Sequence, residues 1–166
     1  DITHLKSVIF DMDGTLIESE HVWAEAKKHI AEIYGQKVSD EELQKFIGRG
    51  ISDFIDEVFG PTTVFKKEMI KQEIHVRALD NYRAKIRVIP NATKILNDFS
   101  SSEIRIAICS SGPLKAIKQS LEALKSTKMI EVIVSGDALD FGKTASTSLS
   151  AYSAKVKFRA MECYCV

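Results

Sequence analysis

The chain has 166 residues, 45% of them apolar, and 23 Lys plus Arg stand against 23 Asp plus Glu. That length suits one ordinary domain or a small core carrying an insertion, and the apolar fraction suits a packed interior. Zero formal charge leaves no electrostatic footprint for nucleic acid or an anionic membrane, and no apolar run approaches the roughly 18 residues that span a bilayer. The three cysteines, Cys109, Cys163 and Cys165, lack metal-site spacing and are expected as reduced, buried thiols. The opening DITHLKSVIF enters a strand without a signal-peptide pattern. A soluble cytoplasmic protein, monomer or weak dimer, is the expectation.

In chain order, residues 8–10 (VIF) form an apolar run that leads into Asp11, Met12, Asp13, Gly14, Thr15 and Leu16, the pattern of a buried parallel strand with polar residues at its tip. A long helical stretch then runs to about Lys85. Val22, Ala26, Ile30 and Ile33 share one helical face, with Gly35 as the stop. Ser39 to Glu42 reads as a capped start for a helix through Leu43, Phe46 and Ile47 that closes at Gly48. Ser52 is expected to cap a short helix carrying Phe54, Ile55, Val58 and Phe59, ended by Gly60 and Pro61. A longer helix places Phe65, Met69, Val76, Leu79 and Tyr82 in phase.

From Ile86 the character changes. Pro90 and Asn91 open a helix with Ile95, Leu96 and Phe99. Residues 104–109 (IRIAIC) then read as a buried strand. Ser110, Ser111, Gly112 and Pro113 lead into a helix with Leu114, Ile117, Leu121 and Leu124. Residues 130–134 form a third strand, residues 144–161 a Ser- and Ala-rich helix, and residues 162–166 a fourth strand. Strand and helix alternate on either side of an all-helical insert, which predicts an α/β fold: a doubly wound parallel sheet (residues 1–17 and 86–166) interrupted by a helical domain (residues 18–85). Ligands of such sheets lie at the carboxyl ends of the strands.

Asp11 and Asp13 stand two residues apart at such an end, where strand geometry points both to one side. Like charges about 4 Å apart repel by roughly 4 kcal/mol at an effective dielectric near 20, so the pair implies a shared proton or a bound cation. Hard cations such as Mg2+ suit two acids and a backbone carbonyl. A solvated Asp-x-Asp-Gly turn is the competing reading. Ser110, ahead of a helix start, has a hydroxyl suited to phosphoryl oxygens, as are the amides of Ser111 and Gly112; an ordinary N-cap is the alternative. Lys143 after Gly142 is either a surface residue or a site cation. Arg49, between Gly48 and Gly50, either reaches a substrate anion or lies in a solvated turn.

Asp11 to Leu16 after an apolar strand resembles the first motif of the haloacid dehalogenase (HAD) superfamily, in the branch with an inserted helical cap that includes beta-phosphoglucomutase-like and sugar-phosphate phosphatases. The resemblance implies a Rossmann-like core, Mg2+ held at Asp11 and Asp13, and a small phosphorylated metabolite as substrate. It makes Asp11 the nucleophile that becomes an aspartyl phosphate and Asp13 the proton shuttle. Ser110 matches the second motif and Lys143 the third, so both hold the phosphoryl group, while the cap closes to exclude water. Arg49 falls where related caps place specificity residues. A carboxylate already ionised at neutral pH needs no activating base; it does need positive charge near the dianion it attacks.

After Lys143 the chain reads Thr144, Ala145, Ser146, Thr147 where the family continues Pro-Ala-Pro-Asp. Counted without gaps, the family's acidic fourth motif would begin after Val166, so a core truncated at its C-terminus is expected. Losing one metal carboxylate costs up to several kcal/mol, or about a thousandfold in rate. Two alternatives to a phosphatase follow: a beta-phosphoglucomutase-type phosphotransferase, disfavoured because Trp23 stands where such relatives carry a histidine, and an inactive copy or binding module.

Overall fold

A computed structural model describes residues 5–136 and 163–165. The chain forms two compact units, one built from residues before Ser19 and after Lys85, the other spanning Ser19–Lys85.

The first unit is organised on a parallel sheet. Its strands are β1 (Ser7–Phe10), β4 (Arg105–Ser110), β5 (Ile130–Ser135) and β6 (Cys163–Cys165), in the order β5-β4-β1-β6. Every neighbouring pair is parallel, as expected of strands that are apolar on both faces. Ser7 through Phe10 are all buried, and Ile106 through Ser110 likewise. Register pairs Val8 with Ile106 and Phe10 with Ile108. These four share a core with Ala92 and Leu96 of helix α6 (Ala92–Ser101) and with Ile117 and Leu121 of helix α7 (Leu114–Ala123). The strands and helices match the doubly wound α/β expectation. The β4–β5 register shifts between Ile106 and Ala107, whose partners Ile130 and Val132 leave Glu131 as the extra residue. Glu131 pairs with the Arg105 guanidinium, which holds its carboxyl below the usual range.

Two short strands fell outside the sequence reading, because two residues carry no measurable period. These are β2 (Ile17–Glu18) and β3 (Arg87–Val88), which pair antiparallel. They set the chain's departure from the sheet unit beside its return.

The second unit holds helices α1 (Glu20–Ile33), α2 (Asp40–Gln44), α3 (Ile51–Phe59), α4 (Val64–Leu79) and α5 (Tyr82–Lys85). Val22, Ala26 and Ile30 are buried along α1 as expected, but Ile33, at its last position, is 64% exposed. Ser39 and Glu42 form a reciprocal capping box at α2. Beyond Gln44 the chain tightens into i to i+3 bonds, with Ile47 N–H donating to Gln44 C=O, so regular helix stops short of Gly48. The cap of α3 is Gly50, and Ser52 sits inside the helix. In α4 the buried face is Ile70, Ile74 and Ala78. The predicted stripe is rotated away from it: Phe65 is 80% and Val76 72% exposed. Asn81, at φ 55°, separates α4 from α5, a left-handed conformation that asparagine tolerates. Phe46, Phe54 and Phe59 pack edge to face, with centroids 5.2 and 6.2 Å apart, a favoured aromatic geometry. Over this cluster lies Lys27, 4% exposed, its Nζ 5.9 Å from the Phe54 ring centroid.

Among the described residues no helix is long and apolar enough to cross a membrane. The predicted helix over residues 144–161 lies outside the described residues.

Candidate active site

β1 ends at Phe10, so strand alternation does not govern Asp13 as the sequence pattern suggested. A tight turn governs it. Gly14 adopts φ 79°, open to glycine at no steric cost, and donates its N–H to the Ile17 carbonyl at 2.8 Å. The Met12 carbonyl accepts from the N–H groups of Leu16 and Ile17 at 2.9 and 3.1 Å. Met12 itself is 1% exposed and belongs to the sheet's core. Its burial anchors the turn between the two acids. Asp11 Oδ1 accepts from Met12 N–H at 2.8 Å. Both acids are partly buried, which does not match a freely solvated turn.

The adjacent strand delivers the serine. Ser110 is the last residue of β4 and 2% exposed. Its Oγ donates to Asp13 Oδ2 at 3.0 Å and accepts from Gly112 N–H at 3.0 Å. The alternative reading of Ser110 as an ordinary N-cap fails, because Pro113, extended at φ −68° and ψ 147°, occupies the cap of α7. The Gly112 amide, expected to face a phosphoryl oxygen, is engaged by the serine instead. Ser111 is exposed. The described contacts therefore bring Asp13, Ser110 and Gly112 together, with Asp11 at the carboxyl end of the neighbouring strand.

Lys143 lies outside the described residues. Arg49 belongs to the second unit, where its guanidinium pairs with Glu57 at 3.2 Å and Asp53 at 3.6 Å and lies 5.0 Å from the Phe46 ring centroid. Those pairs are about half exposed, a setting in which ion pairs contribute about 0–1 kcal/mol. Among the described residues no three or more His, Cys, Asp or Glu side chains group as a metal site. Two carboxylates at one strand end still fit Mg2+, which binds through one or two carboxylates and keeps the rest of its shell for water and phosphate.

Sequence reasoning passed over Gly136. It follows β5, donates its N–H to the Gly112 carbonyl at 3.2 Å, and lies against the main chain of Ser111. A glycine immediately after a buried strand is the signal for such an approach.

A family model described as haloacid dehalogenase-like hydrolase matches residues 8–166. This chain belongs to that family. The membership agrees with the resemblance carried by Asp11 to Leu16. The HAD-like chain is 25% identical over 143 residues to the phosphorylated carbohydrates phosphatase of Thermotoga maritima, covering 84% of this chain and 65% of that protein. It is 27% identical over 155 residues to a phosphoglycolate phosphatase of Cereibacter sphaeroides, covering 90% and 71%. The chain thus spans about two thirds of the length of these relatives. Its fold matches that of CbbY from Rhodobacter sphaeroides, solved in complex with phosphate, at a TM-score of 0.82 and 17% identity over 97% of this chain and 76% of that one. A hydrolase from Pseudomonas syringae matches at 0.80 and 22%, covering 96% and 74%.

Proposed function

We propose that this HAD-like chain hydrolyses phosphate monoesters of small metabolites, sugar phosphates foremost, through an aspartyl phosphate formed on Asp11. The hydrogen bond from Ser110 to Asp13 beside the Asp11 strand end carries the reading. It sets a hydroxyl and a proton-transferring acid at one point, next to a carboxylate that can attack.

In this reading an Asp11 carboxylate oxygen attacks phosphorus in line with the ester oxygen. Asp13 passes a proton to the departing alkoxide, so the alcohol leaves neutral. The Asp13 carboxylate then takes a proton from water, and the hydroxide oxygen attacks the aspartyl phosphate. Inorganic phosphate leaves and Asp11 returns to its starting state. Ser110 turns its hydroxyl from Asp13 to a phosphoryl oxygen when substrate enters, while Gly112 N–H keeps Oγ in place. Mg2+ at Asp11 and Asp13 would supply charge neutralisation between nucleophile and dianion. Lys143 adds the fixed cation that the family resemblance assigns to it. Arg49 between its glycines selects the substrate, its surface ion pairs being cheap to exchange for a substrate anion.

Hydrolysis is favoured over phosphotransfer between sugar hydroxyls by Trp23. It packs against His75 and Tyr82 at 5.8 and 5.9 Å, where mutase relatives carry a histidine. A panel of phosphorylated metabolites assayed for phosphate release with Mg2+ and with EDTA tests the reading. Metal-dependent release from sugar phosphates, without glucose 1-phosphate isomerisation, is expected; isomerisation without release would replace it with the mutase reading.

A further inference from the structure

The contacts that aim Ser110 at Asp13 continue to the residue that follows the next strand. Gly136 N–H donates to the Gly112 carbonyl at 3.2 Å, Gly112 N–H donates to Ser110 Oγ, and the Ser110 hydroxyl donates to Asp13 Oδ2. A Cβ on Gly136 would stand 2.1 Å from the Ser111 carbonyl oxygen and 2.8 Å from its carbon. Both obstacles are main chain, which has no rotamer to escape into. Gly136 does not have a left-handed φ, so close approach, not conformational freedom, is what demands glycine there. At Gly112, by contrast, a Cβ would meet Ser110 Oγ at 3.3 Å and Asp13 Oδ2 at 3.6 Å, ordinary or slightly tight contacts with side chains.

We propose that Gly136 is a positioning residue for the Ser110–Asp13 pair. Its Cα seats against Ser111 while its amide holds the Gly112 carbonyl, and together these fix the turn that points the serine oxygen at the acid. The end of β5 thereby sets the geometry of a side chain on β4 and, through it, of a carboxylate following β1. The effect on turnover rests on the phosphatase reading; the mechanical coupling does not.

Two measurements on the full chain separate these. The first is steady-state hydrolysis of p-nitrophenyl phosphate with Mg2+ by wild type, Gly136→Ala, Ser110→Ala and the double variant. Gly136→Ala is expected to lower kcat by about 100-fold with KM little changed. Added to Ser110→Ala, it should lower kcat by no more than about twofold, because both changes remove one unit. General damage would instead multiply the two losses.

The second is amide hydrogen exchange, which needs neither turnover nor a folded Gly136→Ala. In Ser110→Ala the Gly136 amide should exchange about tenfold faster while Ile108, mid-strand in β4, stays unchanged. Wild-type kcat in Gly136→Ala, multiplying losses, or an unmoved Gly136 exchange rate would each overturn the inference. Coupled exchange in a chain that releases no phosphate would uphold the positioning role and reject the phosphatase reading.

Discussion

Ser110 Oγ reaches Asp13 Oδ2 at 3.0 Å although the two residues are 97 positions apart in sequence. Parallel pairing of β1 with β4 brings their carboxyl ends side by side, and each chain then turns, one at Gly14 and the other at Gly112. A hydroxyl held between an amide donor and a carboxylate acceptor has little freedom left. That restriction fixes the oxygen, so that in the proposed reaction only the hydroxyl hydrogen has to turn from Asp13 toward a phosphoryl oxygen, a small reorganisation.

Replacing Asp11 with Asn keeps the shape and removes the carboxylate proposed as nucleophile. Metal-dependent phosphate release should fall by about 10³-fold or more, with an unfolding midpoint close to wild type. Burst-phase release measured in Asp11→Asn at saturating Mg2+ checks this; retained turnover would remove Asp11 from the chemistry.

Ser110→Ala removes the two hydrogen bonds made by its Oγ, one to Asp13 Oδ2 and one from the Gly112 amide, at a partly buried point. A hydrogen bond to a charged group contributes about 1.5–3 kcal/mol, and urea unfolding should show a loss of that size. Activity should fall as well, and Ser110→Thr, which keeps the hydroxyl, should recover more of it than Ser110→Ala.

Lys27 is expected to make the second unit more stable at high pH. Burial lowers its pKa; Glu20 opposes the shift and Arg49 adds to it. Between the lowered folded value and the ordinary lysine value the unfolded chain binds more protons, so stability rises with pH there. Below that window the ammonium is buried charged and its full cost applies; above it both states are neutral and the cost is gone. Lys27→Met should abolish this dependence and gain about 1–3 kcal/mol at pH 7, measured by chemical denaturation between pH 7 and pH 10.

Phe54 is fully buried and contacts Phe46 and Phe59 edge to face. Phe54→Ala should cost about 3–5 kcal/mol, because neither α2 nor α3 is long enough to hold its shape without that cluster. Circular dichroism during urea unfolding reads the loss directly.

By itself the sequence determined the alternation of buried strands and amphipathic helices, the helical insert, and the presence of an acid pair just past the first strand. Those features are local: apolar period, a glycine after the acids and a Pro-containing turn after a strand are all written within a few residues of one another. Tertiary structure decided which face of α4 is buried, since Phe65 and Ile70 are equally apolar and only packing distinguishes them. It also decided that Ser110 is not a helix cap, because the cap falls three residues later, and that Gly136 must lack a side chain. Such facts depend on which atoms of distant segments meet, and a parallel sheet brings together residues whose sequence neighbourhoods carry no trace of each other.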